Sequence, residues 1–370
     1  MKIFYEYYRY HAIDLKIMLC FGYAFFITLV LIPAIVEIAR AKKLFDEPDE
    51  RKSHRMSTPT LGGLAIFTGF AFSSLIFFNG TAFPKFQYLI AGLLIIFYTG
   101  FKDDIIGISP FKKFVAQIIA ALIIIVLGSI RITNLHGFIG IGAINSHFGL
   151  LITLVTIVGI TNCFNLLDGI DGLSSGIGML VAMTFGTWFF LIREYDWAML
   201  SVGLTGSFLG FFIYNVFGKK NKIFMGDTGS LILGFIMSIL AIKFNEFNIN
   251  LKSIYYIHAA PAVSIGVIMI PLFDTLRVFS TRIFKGRPPF KPDRSHIHHY
   301  LLDLGFSHFQ ATIILFFTNV IFVIVSFLLR NFPVTWALII LLLMASLFSY
   351  IPITIVETKR KHRIKVMELE

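Results

Sequence analysis

Long apolar runs alternate with short polar segments along the whole chain, and this alternation predicts membrane-spanning helices. Lipid admits only helices or closed barrels as spanning structures, and runs near or above about 18 apolar residues suit a helix. We therefore predict an all-α, polytopic integral membrane protein with about eleven transmembrane helices. The predicted spans are residues 17–38, 61–78, 88–100, 114–130, 148–160, 176–192, 198–216, 231–242, 256–273, 311–329 and 334–355.

The composition favours one membrane domain over residues 1–370 and excludes a soluble globular protein. Hydrophobic residues make up 56% of the chain and charged residues only 14%, whereas soluble domains carry about 25% charged residues. The longest polar interval covers only residues 275–310, so we predict no separate soluble domain. Cys20 and Cys163 lie in different apolar segments, and a disulfide framework is therefore not expected.

The positive charges are concentrated in particular segments rather than spread over a surface that could bind nucleic acid. The net charge is +11, and most of the 32 lysines and arginines fall in segments that one orientation places on the same side. Because positive segments stay cytoplasmic, this predicts an outer N-terminus and a cytoplasmic C-terminus. The cytoplasmic segments are then residues 40–60, 101–113, 162–174, 217–228, 275–310 and 356–370.

A polar stretch follows the fifth apolar run. Asn162, Asn165, Asp168 and Asp171 recur at a spacing of three, which on a helix forms one slowly rotating polar stripe. Interleaved glycines would allow a ligand to approach the backbone closely. Helix capping is the simpler alternative, since Asn and Asp are favoured there. Four such residues exceed what a cap requires, so we favour a functional site.

Adjacent carboxylates, Asp103 and Asp104, end the third apolar run. Adjacent carboxylates repel each other, so either one pKa rises or a cation binds between them. An ordinary charged helix end is the alternative. Lys113 opens the next span, where it could serve as a phosphate-binding charge or as an anchor on the cytoplasmic side.

Asp227 lies in the segment Met-Gly-Asp-Thr-Gly-Ser, directly before the eighth apolar run. Flanking glycines permit a tight backbone whose amides can face an anion, while the carboxylate is free to hold a metal ion. A turn with a helix cap is the alternative. Together with the other carboxylates predicted on the same side, this pattern favours metal binding.

Arg294, His296, His298 and His299 lie in the long cytoplasmic segment 275–310, which is rich in basic residues. Arginine and histidine donors suit hard oxygen anions, above all a pyrophosphate. A zinc site is less favoured, because no HExxH spacing is present and no cysteine is near. A merely basic loop does not explain three histidines within four positions.

Lys52 and His54 precede the second predicted span, at the depth where the phosphates of lipid headgroups lie. Anchoring to membrane lipids and binding of a substrate phosphate explain them equally well. With this segment, every unusual polar motif falls on the predicted cytoplasmic side. Carboxylates for magnesium and cations for phosphates suit the transfer of a phosphorylated group from a soluble nucleotide to a lipid phosphate. A cation-coupled transporter, the rival class, would instead place its carboxylates near the membrane midplane.

The motifs RKSH, PTLGG, KDD, NCFNLLDGIDGL, FMGDTGS and PDRSHIHH, in this order, resemble those of the polyprenyl-phosphate N-acetylhexosamine-1-phosphate transferases, glycosyltransferase family 4. The histidine segment is similar to that of the branch that uses UDP-N-acetylglucosamine. Enzymes of the peptidoglycan branch, the phospho-N-acetylmuramoyl-pentapeptide transferases, typically carry three consecutive histidines, whereas Ile297 interrupts them here. That branch and other UDP-acetamidosugar transferases are the alternatives.

The resemblance implies transfer of N-acetylglucosamine 1-phosphate from UDP-N-acetylglucosamine to undecaprenyl phosphate, which gives undecaprenyl-diphospho-N-acetylglucosamine and UMP. This is the first lipid-linked step of a cell-surface polysaccharide. It also implies Mg²⁺ as the cofactor, for which Mn²⁺ can substitute, and a bacterial inner membrane with the active site facing the cytoplasm. A homodimer is compatible with it. Direct attack is favoured over a phosphorylated aspartate, because magnesium and cations already lower the charge barrier.

The resemblance also implies roles for individual residues. Asp103 is the expected base for the lipid phosphate, and Asp104, Asp168 and Asp227 are expected to take part in catalysis. The expected magnesium ligands are Asp227, Asn165 and Asp104. The expected substrate-binding residues are Lys113, Asn162, Asp171, Arg294, His296, His298, His299, Lys52 and His54.

Overall fold

The computed structural model describes residues 2–44, 58–78, 85–288 and 294–367, and it describes side chains between residues 13 and 359 of these ranges. Lys52 and His54 lie outside the described residues. Helices dominate the rest. They are α1 (Lys2–Ala41), α2 (Gly62–Phe77), α3 (Phe86–Ile106), α4 (Pro110–Leu122), α5 (Ser146–Leu167), α6 (Leu173–Leu191), α7 (Tyr195–Val216), α8 (Gly226–Asn248), α9 (Ala260–Val267), α10 (Met269–Phe284), α11 (Ile297–Asp303), α12 (His308–Leu328) and α13 (Val334–Met367).

The predicted class, an all-helical polytopic membrane protein, is confirmed. Within the described ranges, eight helices are long and apolar enough to cross a membrane, or up to nine if the bent pair α9 and α10 forms one span. Of the remaining apolar helices, α2 has only 16 residues, and α3 has 21 residues with three charges near its end. The number eleven and the sides on which the termini lie stay predictions.

The predicted ninth span, residues 256–273, is wrong as a continuous helix. Helices α9 and α10 meet at an angle of 83°. Pro271 has no N–H to donate to the carbonyl of Val267, so the helical ladder breaks there. The side chain of Asn319 in α12 satisfies the groups at the break, since it donates to the Val267 carbonyl (2.9 Å) and accepts from the Ile270 N–H (3.2 Å).

A short antiparallel hairpin, which was not predicted, follows the fourth span. Its strands are β1 (Asn134–Phe138) and β2 (Ile141–Ala143). The carboxylate of Glu246, near the end of α8, accepts hydrogen bonds from the N–H and the hydroxyl of Thr133, both at 2.8 Å. The hairpin therefore closes the end of the bundle opposite to the start of α8. The polar motifs gather around that start.

Helix α8 is the central helix of the bundle and is buried along most of its length. Glycines allow its first turn to be approached closely. A Cβ at Gly100 of α3 would stand 2.5 Å from the Cα of Thr228, and one at Gly63 of α2 would collide with the backbone of Gly229. Because neither glycine has a side chain, the charged end of α3 reaches the start of α8.

Candidate active site

Asp104 holds the free N–H groups at the start of α8 from a neighbouring helix. Its Oδ1 accepts from the N–H of Asp227 (2.7 Å), and its Oδ2 accepts from the N–H and the hydroxyl of Thr228 (3.0 and 2.5 Å). The first N–H groups of a helix have no partner within the helix, and a carboxylate there also complements the helix dipole. Asp104 therefore positions Asp227. The predicted role of Asp104 as a magnesium ligand stays a prediction.

Asp103, Lys113, Asn165 and Asp227, which come from α3, α4, α5 and α8, meet in one cluster. The ammonium group of Lys113 bridges the carboxylates of Asp103 and Asp227. The side-chain amide of Asn165 donates to Asp227 Oδ1 (2.8 Å) and to the hydroxyl of Ser230 (2.9 Å). Lys113 and Asn165, which lie 114 and 62 positions before Asp227 along the chain, are thereby joined around its carboxylate.

The donors of this cluster fit a magnesium ion. Asp103 and Asp227 supply carboxylate oxygens and Asn165 an amide oxygen, and the bridging ammonium of Lys113 shows that the two carboxylates attract a cation. Among the described residues, no three His, Cys, Asp or Glu side chains form a metal-binding group. Mg²⁺ usually takes one or two carboxylates and completes its shell with water and substrate phosphates, so a larger set of acids is not needed.

The predicted polar stripe from Asn162 to Asp171 is not continuous, because α5 ends at Leu167. Asp168 has φ −77° and ψ 50°, outside the helical region, and Gly172 has φ +77°. A glycine accepts this positive φ without steric cost. The turn from Asp168 to Gly172 separates the four residues, so that Asn165 and Asp171 contact different partners.

Asp168 lies at the end of α5, beside the cluster. Burial, followed by the charges of Asp227 and Asp104, raises the pKa of Asp168 to about 8. Its carboxyl group is therefore largely protonated at pH 7 in the absence of a cation. A bound cation would favour the ionised form, because an opposite charge close to a carboxyl group lowers its pKa.

Asp171 pairs with two basic side chains that were not predicted as part of the site. Its Oδ2 lies 2.7 Å from Lys222 Nζ and 3.7 Å from His308 Nδ1. Burial alone would raise the pKa of Asp171, but the interactions with His308 and Lys222 hold it below its ordinary value. Asp171 is therefore ionised at pH 7. Together with Lys222 and His308 it forms a polar cluster on the far side of the turn.

The side chain of Asn162 is hydrogen-bonded to another side chain of the bundle, that of Gln117. It donates to the side-chain oxygen of Gln117 (2.6 Å) and to the carbonyl of Val158 (2.7 Å), and it accepts from the Gln117 amide (3.4 Å). The pair joins α4 to α5, close to Lys113 and Asn165. These contacts hold the two helices in register, while the predicted substrate-binding role of Asn162 stays a prediction.

The three histidines lie together, next to the turn after α5. The rings of His296 and His298 are stacked with centroids 5.9 Å apart, and those of His298 and His299 are 4.2 Å apart. A Cβ at Gly169 would collide with the ring of His298, so the glycine in the turn allows this contact. Arg294 is 72% exposed, and its guanidinium lies 4.0 Å from Asp303. The segment from Arg294 to His299, the histidine segment, thus contacts the polar stretch 162–171 at Gly169.

Two of the histidines, His298 and His299, favour the neutral form of the ring. Burial and the neighbouring His299 lower the pKa of His298 to about 3. Burial, with Arg294 and His296, also lowers the pKa of His299. Both nitrogens of His298 are buried and have no hydrogen-bond partner among the described residues. A neutral imidazole donates through one nitrogen and accepts through the other, so His298 can form hydrogen bonds but adds no positive charge to the site.

Several residues in or next to the site were not predicted, namely Lys222, Thr228 and His308, and the buried pair Asp274 and Arg277 beside the histidine segment. Asp274 carried the clearest signal, because it lies within an apolar run and Arg277 follows one helical turn later. An ionisable residue inside an apolar segment indicates a functional site by default. The carboxylates Asp103, Asp104, Asp168 and Asp227 lie at helix ends, which disfavours the transporter alternative.

Replacing Lys113 with Gln is expected to lower the rate of the transfer reaction that the family resemblance implies by about a hundredfold, because the carboxylates of Asp103 and Asp227 then repel each other without the bridging ammonium group. Turnover is measured as product release by the purified variant. Lys112→Gln is the matched control, since Lys112 is the exposed neighbour on the same helix and should retain normal turnover. Equal rates for the two variants would contradict a role of Lys113 in the cluster.

Comparisons with known proteins identify the family of the chain. The family described as glycosyl transferase family 4 matches residues 86–245. A Bacillus subtilis protein named probable undecaprenyl-phosphate N-acetylglucosaminyl 1-phosphate transferase is 32% identical over 89% of both chains. A polytopic membrane protein with this site and these relatives is a membrane-embedded glycosyl transferase. The chain belongs to glycosyl transferase family 4.

Two further relatives extend the comparison. Decaprenyl-phosphate N-acetylglucosaminephosphotransferase of Mycolicibacterium smegmatis is 31% identical over 73% of this chain and 71% of its own. Undecaprenyl-phosphate alpha-N-acetylglucosaminyl 1-phosphate transferase of Escherichia coli O157:H7 is 27% identical over 84% of each chain. The names of all three relatives include a polyprenyl phosphate and N-acetylglucosamine.

Proposed function

We propose that this protein transfers N-acetylglucosamine 1-phosphate from UDP-N-acetylglucosamine to undecaprenyl phosphate and releases UMP. The observation that supports this most directly is the meeting of two groups at one end of the bundle. The cluster of Asp103, Lys113, Asn165 and Asp227, the acid–lysine cluster, lies at the start of α8, where the charge of Asp227 acts on Asp168 at the start of the turn after α5. The ring of His298 packs against Gly169 in the same turn. The names of the relatives specify the sugar and the lipid.

The acid–lysine cluster is proposed to handle the reacting phosphates. Asp227 and Asn165 would hold Mg²⁺, with Asp103 beside them, and Lys113 would contact the diphosphate. When bound, the metal ion offsets the negative charge of the phosphates. Asp103 would accept the proton of the lipid phosphate. Asp104 contributes by fixing the backbone of Asp227 and Thr228, to which it already binds.

The histidine segment, together with Asp171 and its partner Lys222, is proposed to bind the nucleotide sugar. Asp171, ionised and paired with Lys222, can accept hydrogen bonds from a uracil ring. The neutral rings of His298 and His299 supply hydrogen bonds to the diphosphate and to the sugar phosphate. Both nitrogens of His298 are buried and have no partner among the described residues, so a ligand that reached them would supply the missing hydrogen bonds.

The location follows from the distribution of charge. We propose that the site opens to the cytoplasm of a bacterial cell, because the segments predicted to lie on its side of the membrane together carry most of the lysines and arginines. The inner membrane is then the site of reaction, where undecaprenyl phosphate is the lipid partner. A homodimer stays a prediction.

The deciding experiment measures UMP release by detergent-purified protein with undecaprenyl phosphate and Mg²⁺. UDP-N-acetylglucosamine and UDP-N-acetylmuramoyl-pentapeptide are offered separately. Release with the first alone is expected. Release with the second alone would place the protein in peptidoglycan synthesis and contradict the proposed donor. A folded preparation that releases UMP with neither would contradict the proposed reaction for both donors.

A further inference from the structure

Asp274 is a buried acid on α10 that none of the roles above uses. Its side chain is 6% exposed, and it lies six residues into the helix that follows the 83° bend. Helix α10 packs against α5, and Cys163 of α5 lies near both Asp274 and Thr275. Asp274 therefore stands between the helix that carries Asn165 and the histidine segment.

Three groups bind the carboxylate of Asp274, and two of them belong to the histidine segment. Its Oδ2 accepts from His296 Nδ1 (2.9 Å), and its Oδ1 accepts from the N–H of Ile297 (3.0 Å). Oδ1 also accepts from Arg277 Nη2 (2.7 Å). The same Arg277 nitrogen donates to the carbonyl of Ser295 (2.6 Å). The backbone and the first histidine of the segment are thus tied to one buried ion pair.

This arrangement selects one form of His296. An ionised carboxylate only accepts hydrogen bonds, and the adjacent guanidinium of Arg277 keeps Asp274 ionised. His296 Nδ1 must therefore carry a hydrogen atom, which leaves Nε2 as an acceptor when the ring is neutral. The hydrogen bond at one ring nitrogen sets the role of the other.

We propose that Asp274, held by Arg277, is a positioning residue for the donor-binding histidines. It fixes the tautomer of His296 and the start of α11, and so it presents the histidine segment to the nucleotide sugar. Asp274 does not touch the substrate in this proposal. The proposal rests on the proposed transferase function, since it assigns the effect to use of the nucleotide sugar.

Asp274→Asn is the variant of choice, because it preserves the volume and changes one contact. The amide oxygen of Asn can still accept from Arg277 and from the N–H of Ile297. Its NH₂ group cannot accept from His296 Nδ1–H, so the imidazole must turn or change tautomer. The KM for the nucleotide sugar is expected to rise on the order of tenfold, while the KM for undecaprenyl phosphate stays unchanged.

A double-mutant cycle separates positioning from general damage. If Asp274 acts through His296, Asp274→Asn should add nothing further in a His296→Asn background, because residues that act as a unit are not additive. If the effects of the two substitutions on the KM for the nucleotide sugar multiply in the double variant, the proposal would be overturned. An equal rise in the KM of both substrates would also overturn it.

Ser349→Ala is the matched control. Ser349 lines the same small crevice as Asp274, and its hydroxyl bonds to the carbonyl of Ala345 in its own helix. This change removes a buried polar atom beside Asp274 without touching the histidine segment, so normal kinetics are expected. Should Asp274→Asn fail to fold, Asp274→Glu keeps the charge but displaces it. The rise in the KM for the nucleotide sugar that Asp274→Glu causes must again be absent in the His296→Asn background. A rise that persists in that background would overturn the proposal.

A spectroscopic readout keeps this proposal distinct from the proposed function. In protein labelled with ¹⁵N-histidine, the His296 signal, assigned by its absence in His296→Asn, should show a protonated Nδ1 in the wild type and a change in Asp274→Asn. An unchanged signal would overturn the proposal. If the wild type releases no UMP, the proposed function fails first, while the tautomer of His296 can still be measured.

Discussion

Replacing Asp227 with Asn is expected to lower UMP release by roughly a thousandfold, because it removes the charge on which the cluster is centred. Lys113 and Asn165 both bind the Asp227 side chain, and the metal ion proposed here would bind there too. The variant should still fold, since Asp104 holds the start of α8 through backbone N–H groups rather than through the Asp227 carboxylate. UMP release is measured with the two substrates at saturating concentrations.

Asp196→Asn is the matched control for this experiment. Asp196 also lies in the first turn of a spanning helix, α7, but at the opposite end of the bundle. The same chemical change there should leave UMP release within about twofold of the wild type, because the half-buried Asp196 lies away from the cluster and substitutions away from special features have small effects. Near-normal release by Asp227→Asn, or equal losses in both variants, would contradict the central role of Asp227.

The removal of divalent cations is expected to have the second large effect on UMP release. Treatment with EDTA is expected to lower UMP release by roughly a thousandfold or more, because the charge of two phosphorylated substrates is then no longer offset. Added Mg²⁺ should restore the rate, and Mn²⁺ should restore it as well. Ca²⁺ prefers more ligands at longer distances, and so it should restore much less.

The control for chelation is EDTA already saturated with Mg²⁺, which should leave the rate unchanged. The dependence of the rate on Mg²⁺ concentration also tests the proposed ligand Asn165. Asn165→Ala should require a higher Mg²⁺ concentration for half-maximal rate, whereas Asp196→Asn should not. A full rate after exhaustive chelation would contradict the magnesium hypothesis, and an unchanged requirement in Asn165→Ala would contradict that ligand.

The hydrophobic pattern predicted most of the helices, because a segment that spans lipid needs a long apolar run and must form its backbone hydrogen bonds within a helix. The predicted span 198–216 corresponds to α7, and 311–329 corresponds to α12. The break between α9 and α10 was missed, since hydropathy is insensitive to the lost hydrogen bond at Pro271. The hairpin after α4 was missed because its strands are short and pair only with each other.

The site was predicted in part. Asp103, Asp104, Asn165 and Asp227 were recognised as polar residues at the ends of apolar runs, and the structure places them together. Their contacts could not be predicted, because Asp104 reaches α8 across 123 residues of sequence. Lys222 was not distinguished from the other lysines of the predicted cytoplasmic segments, since its pairing with Asp171 depends on the turn at Gly172.

The sequence by itself determined the membrane class, the family resemblance and the residue types of the site. These are local properties, since they depend on the composition of single runs and on the order of short motifs. Only the tertiary structure decided which acid binds which partner. It assigned Asp104 to the start of α8 and Asp274 to His296. The reason is that a buried carboxylate must find donors, and the packing of α3, α5, α8 and α10 determines which donors lie within reach.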